Sequence, residues 1–370
     1  MNVILAGGGT AGHINPALTI AKTVRDKNPK SKILFIGNSG SLEEKLVKNS
    51  GFDIEFIKVE GLRRTVSLKN IKTLRMFLHA VSDCKRIIRD FKADIVVGTG
   101  GYVSGPAVYA AHILGIKTCI HEQNAYPGIT SKFLSRYADC VFISFESSRK
   151  YFRRAKKIVL SGNPIDQSFL FSDKRSARQK LGIPESAFYL VSFAGSLGAR
   201  EINKLFVDFI LKNSKYNDFM HTHATGSFGF KWMPQQLSER GFDINKNTHI
   251  KVVEYIYDMP IQLAACDAVV SRAGAITLGE IMAQGKPSVL IPSPNVTHNH
   301  QYYNAMSLVE NGAAMMLQEK DATADKLYSM ILNIKNDSAL AKTIGDNARA
   351  MAQLRAAEVI YRGMYDLIKK

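Results

Sequence analysis

Twice along this chain a short apolar run enters a glycine-rich turn and leaves it as a helical pattern. The first copy is Val3-Ile4-Leu5 leading into Gly7-Gly8-Gly9-Thr10-Ala11-Gly12, with a helical pattern from Pro16 to Ala21. The second is Tyr189 to Ala194 leading into Gly195-Ser196-Leu197-Gly198-Ala199-Arg200, with a helical pattern from Ile202 to Leu211. A strand, a glycine turn and a helix in that order open a βαβ crossover, so each copy marks the start of a doubly wound unit. The alternation continues after each: β-branched runs recur at Ile33–Ile36, Ile95–Gly98, Thr118–His121, Cys140–Ser144 and Ile158–Ser161, then at His249–Val253, Ala268–Ser271 and Ser288–Ile291. With 370 residues the chain is too long for one ordinary core. The reading is α/β, two doubly wound parallel sheets in series with their boundary near Gly162-Asn163-Pro164. Ligands of such sheets bind beyond the carboxyl ends of the strands, so two facing domains would make a deep cleft.

Residues 7 to 12 also satisfy the G-x-G-x-x-G spacing of dinucleotide-binding folds. That fingerprint needs an Asp or Glu at the end of the second strand to hold the adenosine ribose. Here that strand reads Lys32-Ile33-Leu34-Phe35-Ile36-Gly37-Asn38, with no carboxylate. A phosphate loop is indicated, and NAD is disfavoured.

The charge narrows the ligand class. A formal +17 implies an anionic partner. Basic residues interleaved with aromatics, or a nucleic-acid reader module, are lacking, which leaves an anionic membrane surface or a phosphorylated substrate. A helix spanning about 69 to 91 would place Lys72, Arg75, His79, Arg86 and Arg89 on one face and Ile71, Leu74, Phe77, Leu78, Val81 and Ile88 on the other. That face is either solvated or turned to a membrane. No run approaches the roughly 20 apolar residues of a bilayer span, and the N-terminus enters a strand at once, so a cytoplasmic location is expected. Cys84, Cys119, Cys140 and Cys266 are isolated, which predicts neither a disulfide framework nor a zinc site.

The run from Ser271 to Glu280, followed by Gly285-Lys286-Pro287, carries the most chemistry. A strand ends at Arg272, Gly274 turns the chain, and Ala275 to Gln284 form a helix whose free N–H groups can face a diphosphate. Glu280, about one turn inside, is placed to accept both hydroxyls of a ribose. Gly195 and Ser196 could add donors to the same phosphates. The carboxamides of Gln301 and Asn304 could bond sugar hydroxyls.

Gly8-Gly9-Thr10-Ala11-Gly12-His13, Gly100-Gly101-Tyr102-Val103-Ser104-Gly105-Pro106, His121-Glu122-Gln123-Asn124, Gly162-Asn163-Pro164, Gly195 to Ala199 and Arg272 to Glu280 occur in the order found in the MurG family. The chain resembles that family, which belongs to glycosyltransferase family 28, from residue 8 to about residue 305. The resemblance implies a GT-B fold of two Rossmann-like domains: 1–163, meeting acceptor and membrane; 164–345, binding the UDP-sugar; and a helix in 346–370 packing back on the first. It implies inverting transfer of N-acetylglucosamine from UDP-N-acetylglucosamine to lipid I, the undecaprenyl-pyrophosphoryl-muramyl-pentapeptide, at the cytoplasmic face of the bacterial plasma membrane. No metal cofactor is expected, because the chain has no D-x-D clamp. Residue by residue, it implies that Thr10, Ala11 and Gly12 touch the donor and that Asn124 and Gln301 contact its sugar. Ser196 would contact phosphate, the Ile256 backbone would contact uracil, and Ala275, Ile276, Thr277 and Glu280 would hold the nucleotide. Gly100, Gly101 and Tyr102 would face the acceptor pyrophosphate. His13 is the expected general base, with Glu122 as rival.

Three positions depart from the family pattern. Asp166 stands where an arginine is common, Leu197 where a glutamine is common, and Gly279 where a serine is common. The arginine contact is therefore not carried over. Other readings on this fold are a diacylglycerol glucosyltransferase, a UDP-N-acetylglucosamine epimerase, or a catalytically silent binding protein.

Overall fold

A computed structural model describes residues 1–60, 69–170, 173–195 and 197–369. It divides into two compact units, Met1–Ile165 with Gln353–Lys370, and Asp166–Ala352.

The first unit is built on seven parallel strands: β1 (Asn2–Gly7), β2 (Lys32–Gly37), β3 (Asp53–Phe56), β4 (Ile95–Gly100), β5 (Lys117–Glu122), β6 (Cys140–Ile143) and β7 (Ile158–Leu160). Their order is β3-β2-β1-β4-β5-β6-β7, so the winding reverses between β1 and β4. These central strands are covered on both faces, which is why they read as unbroken apolar runs; every residue of β4 is buried. Between and after these strands run the helices α1 (Ala11–Lys27), α2 (Leu42–Asn49), α3 (Lys69–Phe91), α4 (Ser104–Ile113) and α5 (Ile129–Leu134). On one face Ala80, Cys84 and Ile88 of α3 pack with Ala107 and Val108 of α4. On the other, Ile14, Ala17 and Val24 of α1 pack with Ile360 and Met364 of the helix Ala356–Lys369. That helix approaches the sheet closely because Gly363 has no side chain; a Cβ there would lie 2.6 Å from Phe142 Cζ.

Three details of this unit differ from the sequence reading, and in the second unit the strands Met220–Ala224 and Met315–Met316 were not expected. Helix α1 starts at Ala11, well before Pro16, because Thr10 takes an extended N-cap conformation and its carbonyl accepts from His13 and Ile14 N–H groups. Pro16 then costs only the bond it would have donated to Gly12. Strand β3 escaped notice because its Asp53-Ile54-Glu55-Phe56 alternation is short and lies at the sheet edge. In α3, Arg75, His79, Arg86 and Arg89 are exposed as expected, but Leu78 is also 59% exposed, so it does not belong to the core face. The side chains of Ile71, Lys72 and Leu74 lie outside the described residues. Asp90 lies within 3.9 Å of Arg86, which dilutes the positive face.

The second unit carries six parallel strands: β8 (Tyr189–Phe193), β9 (Met220–Ala224), β10 (Ile250–Val253), β11 (Ala268–Ser271), β12 (Ser288–Leu290) and β13 (Met315–Met316), in the order β10-β9-β8-β11-β12-β13. Winding again reverses beside the first strand, between β8 and β11. The helix Ala275–Gln284 has the predicted bounds and stops at Gly285 in the left-handed region, φ 59°. All four cysteines are buried and unpaired, and burial pushes the Cys266 thiol up to about 11. Among the described residues no helix is long and apolar enough to cross a membrane.

Candidate functional site

The loops after β1 and β4 meet where the first sheet reverses. Gly8 N–H donates to Gly100 O at 3.3 Å, and a Cβ on Gly101 would fall 2.1 Å from Gly8 O, so only glycine permits that approach. Tyr102 lays its ring against Gly9, 3.1 Å from where a Cβ would stand. The expectation that Gly7 to Gly12 forms one phosphate loop needs correction. Glu43, 1% exposed, accepts from the N–H groups of Gly9 and Asn38, each at 3.2 Å. A buried carboxyl there already occupies the Gly9 donor, which is therefore not available to a phosphate. What remains open is the start of α1: Thr10, Ala11 and Gly12 are exposed, the first turn has no side-chain cap and no acidic residue, and its leading N–H groups have no partner within the helix.

His13 stands in that first turn, half-buried. Thr99 Oγ1 donates to its carbonyl at 2.8 Å, and its Nδ1 lies 3.2 Å from Gln123 Oε1. A Cβ on Gly100 would fall 2.5 Å from that nitrogen, so Gly100 makes room for the imidazole. Nε2 bonds no described residue. Glu122, the rival, is 2% exposed, and its oxygens are already engaged. Oε1 accepts from Asn124 N and Nδ2 at 3.0 and 3.1 Å, and Oε2 accepts from Gly128 N at 3.2 Å. It braces the loop that carries Asn124.

In the second unit Gly274 caps the helix Ala275–Gln284 without a side-chain bond, so the N–H groups of Ile276 and Thr277 have no partner within the helix. Ala275 is buried at its start. Glu280 is half-buried and has no hydrogen-bond or ion-pair partner among the described residues. Enclosure by protein, with Asp166 nearby, pushes its carboxyl from the ordinary 4.5 up to about 8. The Ile256 side chain is buried, while its backbone N–H and C=O bond no other described group. Gln301 Oε1 accepts from Ser293 N at 2.9 Å, which leaves its amide nitrogen to donate. Ser196 lies outside the described residues. Asn304 is fully buried and holds Ala273 O at 3.1 Å, so it braces the turn and is no sugar ligand. Two cations of the same run are structural. Arg272 donates to Ile291 O and Pro292 O and pairs with Glu319, and Lys286 donates to Ala264 O and Cys266 O.

Residues 3–143 match the N-terminal domain of glycosyltransferase family 28, and residues 190–360 match its C-terminal domain. The chain belongs to glycosyltransferase family 28. It is a glycosyltransferase with the GT-B fold. It is similar to the UDP-N-acetylglucosamine–N-acetylmuramyl-(pentapeptide) pyrophosphoryl-undecaprenol N-acetylglucosamine transferase of Acetivibrio thermocellus, 41% identical over all of this chain and 99% of that one. A Bacillus thuringiensis transferase of the same description is 43% identical, with both chains covered completely. The crystal structure of Acinetobacter baumannii MurG superposes with a TM-score of 0.79 at 26% identity, covering 99% of each chain.

Sequence reading passed over several residues beside the candidate positions of each unit. Glu43 looks like an ordinary first-turn carboxylate of α2, and only the fold turns it toward Gly9. Gln123 read as a motif letter, and its contact with His13 spans 110 positions. Tyr255 and Tyr257, 47% and 91% exposed with rings 5.0 Å apart, flank Ile256 at the end of β10. Large exposed aromatics side by side were the available signal.

Proposed function

We propose that this chain transfers N-acetylglucosamine from UDP-N-acetylglucosamine to the 4-hydroxyl of the muramyl sugar of lipid I, inverting the anomeric centre and releasing UDP and lipid II. The observation that carries this reading is likeness over the whole chain to transferases named for N-acetylglucosamine transfer to that acceptor. In the second unit, Ile256 offers its unpaired backbone to uracil beside the exposed Tyr255. Glu280 accepts from the ribose hydroxyls, and Ala275, Ile276 and Thr277 point backbone dipoles at the diphosphate, with Ser196 as a further donor. Asn124 and Gln301 contact the sugar. In the first unit, Thr10, Ala11 and Gly12 offer their donors to the donor substrate, and Gly100, Gly101 and Tyr102 face the acceptor pyrophosphate.

The acceptor hydroxyl gives its proton to His13 Nε2 as its oxygen bonds to C1 of N-acetylglucosamine. The bond from C1 to the diphosphate breaks on the opposite face, and its electron pair leaves with UDP. Negative charge grows on the departing diphosphate, where fixed backbone dipoles stabilise it most. Glu122 supplies a loop brace and not a base, because its oxygens already hold three donors.

Metal independence follows from handling phosphate with helix ends and hydroxyls. Among the described residues no group of three or more His, Cys, Asp or Glu side chains is placed to hold a metal. Transfer from UDP-N-acetylglucosamine to a lipid I analogue should proceed undiminished in EDTA. Activity that vanishes in EDTA and returns with Mg²⁺ or Mn²⁺ would overturn this part of the reading.

The membrane partner we propose is an anionic phospholipid surface on the first unit. Leu78, Ile129 and Phe133 are 59%, 63% and 41% exposed, with Arg75, His79 and Arg136 exposed on the same helices or just beyond. Tyr109 joins the two sides, its ring 6.3 Å from Phe77 and 6.1 Å from Phe133. An apolar patch rimmed by basic residues suits a headgroup boundary, each Arg adding about 1 kcal/mol near an anionic surface. The protein should cosediment with phosphatidylglycerol vesicles at low salt and weakly with neutral ones. A Leu78→Glu, Ile129→Glu, Phe133→Glu variant should lose that attachment and still bind UDP. Cosedimentation equal to the parent would place the contact elsewhere; the sequence also offers Gly61-Leu62-Arg63-Arg64 as a candidate, and those residues lie outside the described ones.

A further inference from the structure

Beneath His13 lies a closed hydrogen-bond network whose direction is set by backbone carbonyls. Gln123 is 3% exposed; its Nε2 sits 2.7 Å from Thr99 O, 3.3 Å from His121 O and 3.0 Å from His121 Nδ1. Carbonyl oxygens only accept, so the amide NH₂ must occupy that side and Oε1 must face the other way, toward His13 Nδ1. Reversing the amide would press its oxygen against Thr99 O. The next link is fixed in the same manner. His121, fully buried, has Nε2 3.0 Å from Gly162 O, so Nε2 carries its hydrogen and Nδ1 accepts from Gln123. Asn163 completes the frame: its Nδ2 holds Gln123 O at 3.1 Å, and its Oδ1 accepts from Ser144 Oγ at 2.8 Å.

We propose that Gln123, oriented by Thr99 and His121, is a positioning residue that fixes His13 as the Nδ1–H tautomer and so presents a bare Nε2 to the acceptor hydroxyl. Gln123 Oε1 cannot donate, so Nδ1 must, and a neutral imidazole has only one N–H. The opposite tautomer would aim an N–H at the acceptor and could take no proton. The inference rests on His13 acting as general base. It also explains why Gly162-Asn163 and His121 to Asn124 act together: they fold into one support for a side chain more than 100 residues earlier.

The test reads the tautomer directly. In full-length protein labelled with ¹⁵N-histidine, long-range ¹H–¹⁵N correlation at a pH where His13 is neutral should show a protonated Nδ1 and a bare Nε2, the signal being assigned by its loss in His13→Ala. A neutral His13 protonated at Nε2 in the parent protein would overturn the proposal without any variant having to fold. Gln123→Met keeps the length and removes both donor and acceptor. It should mix the two tautomers and lower kcat by about 10- to 10²-fold while UDP affinity stays within about twofold. A folded Gln123→Met protein with parental kcat would also overturn it. An Nδ1–H tautomer together with full activity in His13→Ala would instead remove the general-base reading and leave the tautomer assignment standing.

Discussion

Replacement of His13 by alanine should lower kcat by about 10² to 10⁴, the range general-base catalysis supplies, and leave UDP affinity nearly unchanged. The expectation follows from geometry: Nδ1 is held by Gln123 and Nε2 bonds no described residue, so the imidazole has one nitrogen anchored and one available. Glu122→Ala should behave differently. Three donors, two from Asn124 and one from Gly128, lose their acceptor. These part-buried donors lose a charged acceptor that braces their loop, so the effect should appear first as a lower Tm. A kcat collapse in Glu122→Ala at unchanged Tm and UDP affinity, with His13→Ala still active, would reverse the assignment.

Glu280 should control nucleotide binding and make it pH-dependent. Glu280→Ala removes charge-assisted bonds worth about 1.5 to 3 kcal/mol, so UDP should bind about 10- to 150-fold more weakly. The carboxyl is pushed from 4.5 up to about 8 in the folded protein, and only the ionised form accepts both ribose hydroxyls. UDP affinity should therefore climb up to tenfold per pH unit toward pH 8 and level off above it, with proton release on binding below that point. The same shift sets the sign for stability. Without ligand the folded state keeps a proton that the unfolded chain has lost, so this group's contribution declines as pH rises from about 4.5 to about 8. Glu280→Gln should flatten both dependences. Titration calorimetry across pH 6.5 to 9 checks the binding curve, and an unchanged profile in the variant would remove Glu280 from the ribose.

The sequence revealed what local pattern can encode. Most strands of both sheets announced themselves through apolar runs and glycine turns, Asp53–Phe56, Met220–Ala224 and Met315–Met316 did not, and the helix from Ala275 to Gln284 was legible to the residue because a turn glycine precedes it and Gly285 ends it. Long-range geometry was not legible. Nothing near Glu43 reveals that β2 and α2 aim its carboxyl at Gly9, which takes that N–H out of the expected six-residue phosphate loop. Nothing near Asn304 shows that it lies under the 273 carbonyl instead of in a sugar pocket. Leu78 was misplaced because helical periodicity gives an angle around the axis but not how far a neighbouring helix reaches over it.

Which sugar is transferred, and to what, is decided by analysis of the products. The purified chain is incubated with a lipid I analogue and, separately, UDP-N-acetylglucosamine, UDP-glucose and a TDP-sugar, and the lipid and nucleotide products are identified by mass spectrometry and NMR. Only UDP-N-acetylglucosamine should be consumed efficiently, UDP should be released in step, and the lipid should gain one N-acetylglucosamine in β-1,4 linkage. Epimerisation of the donor with no lipid product, transfer of glucose to diacylglycerol in preference to lipid I, or α-linked product would contradict the proposed reaction.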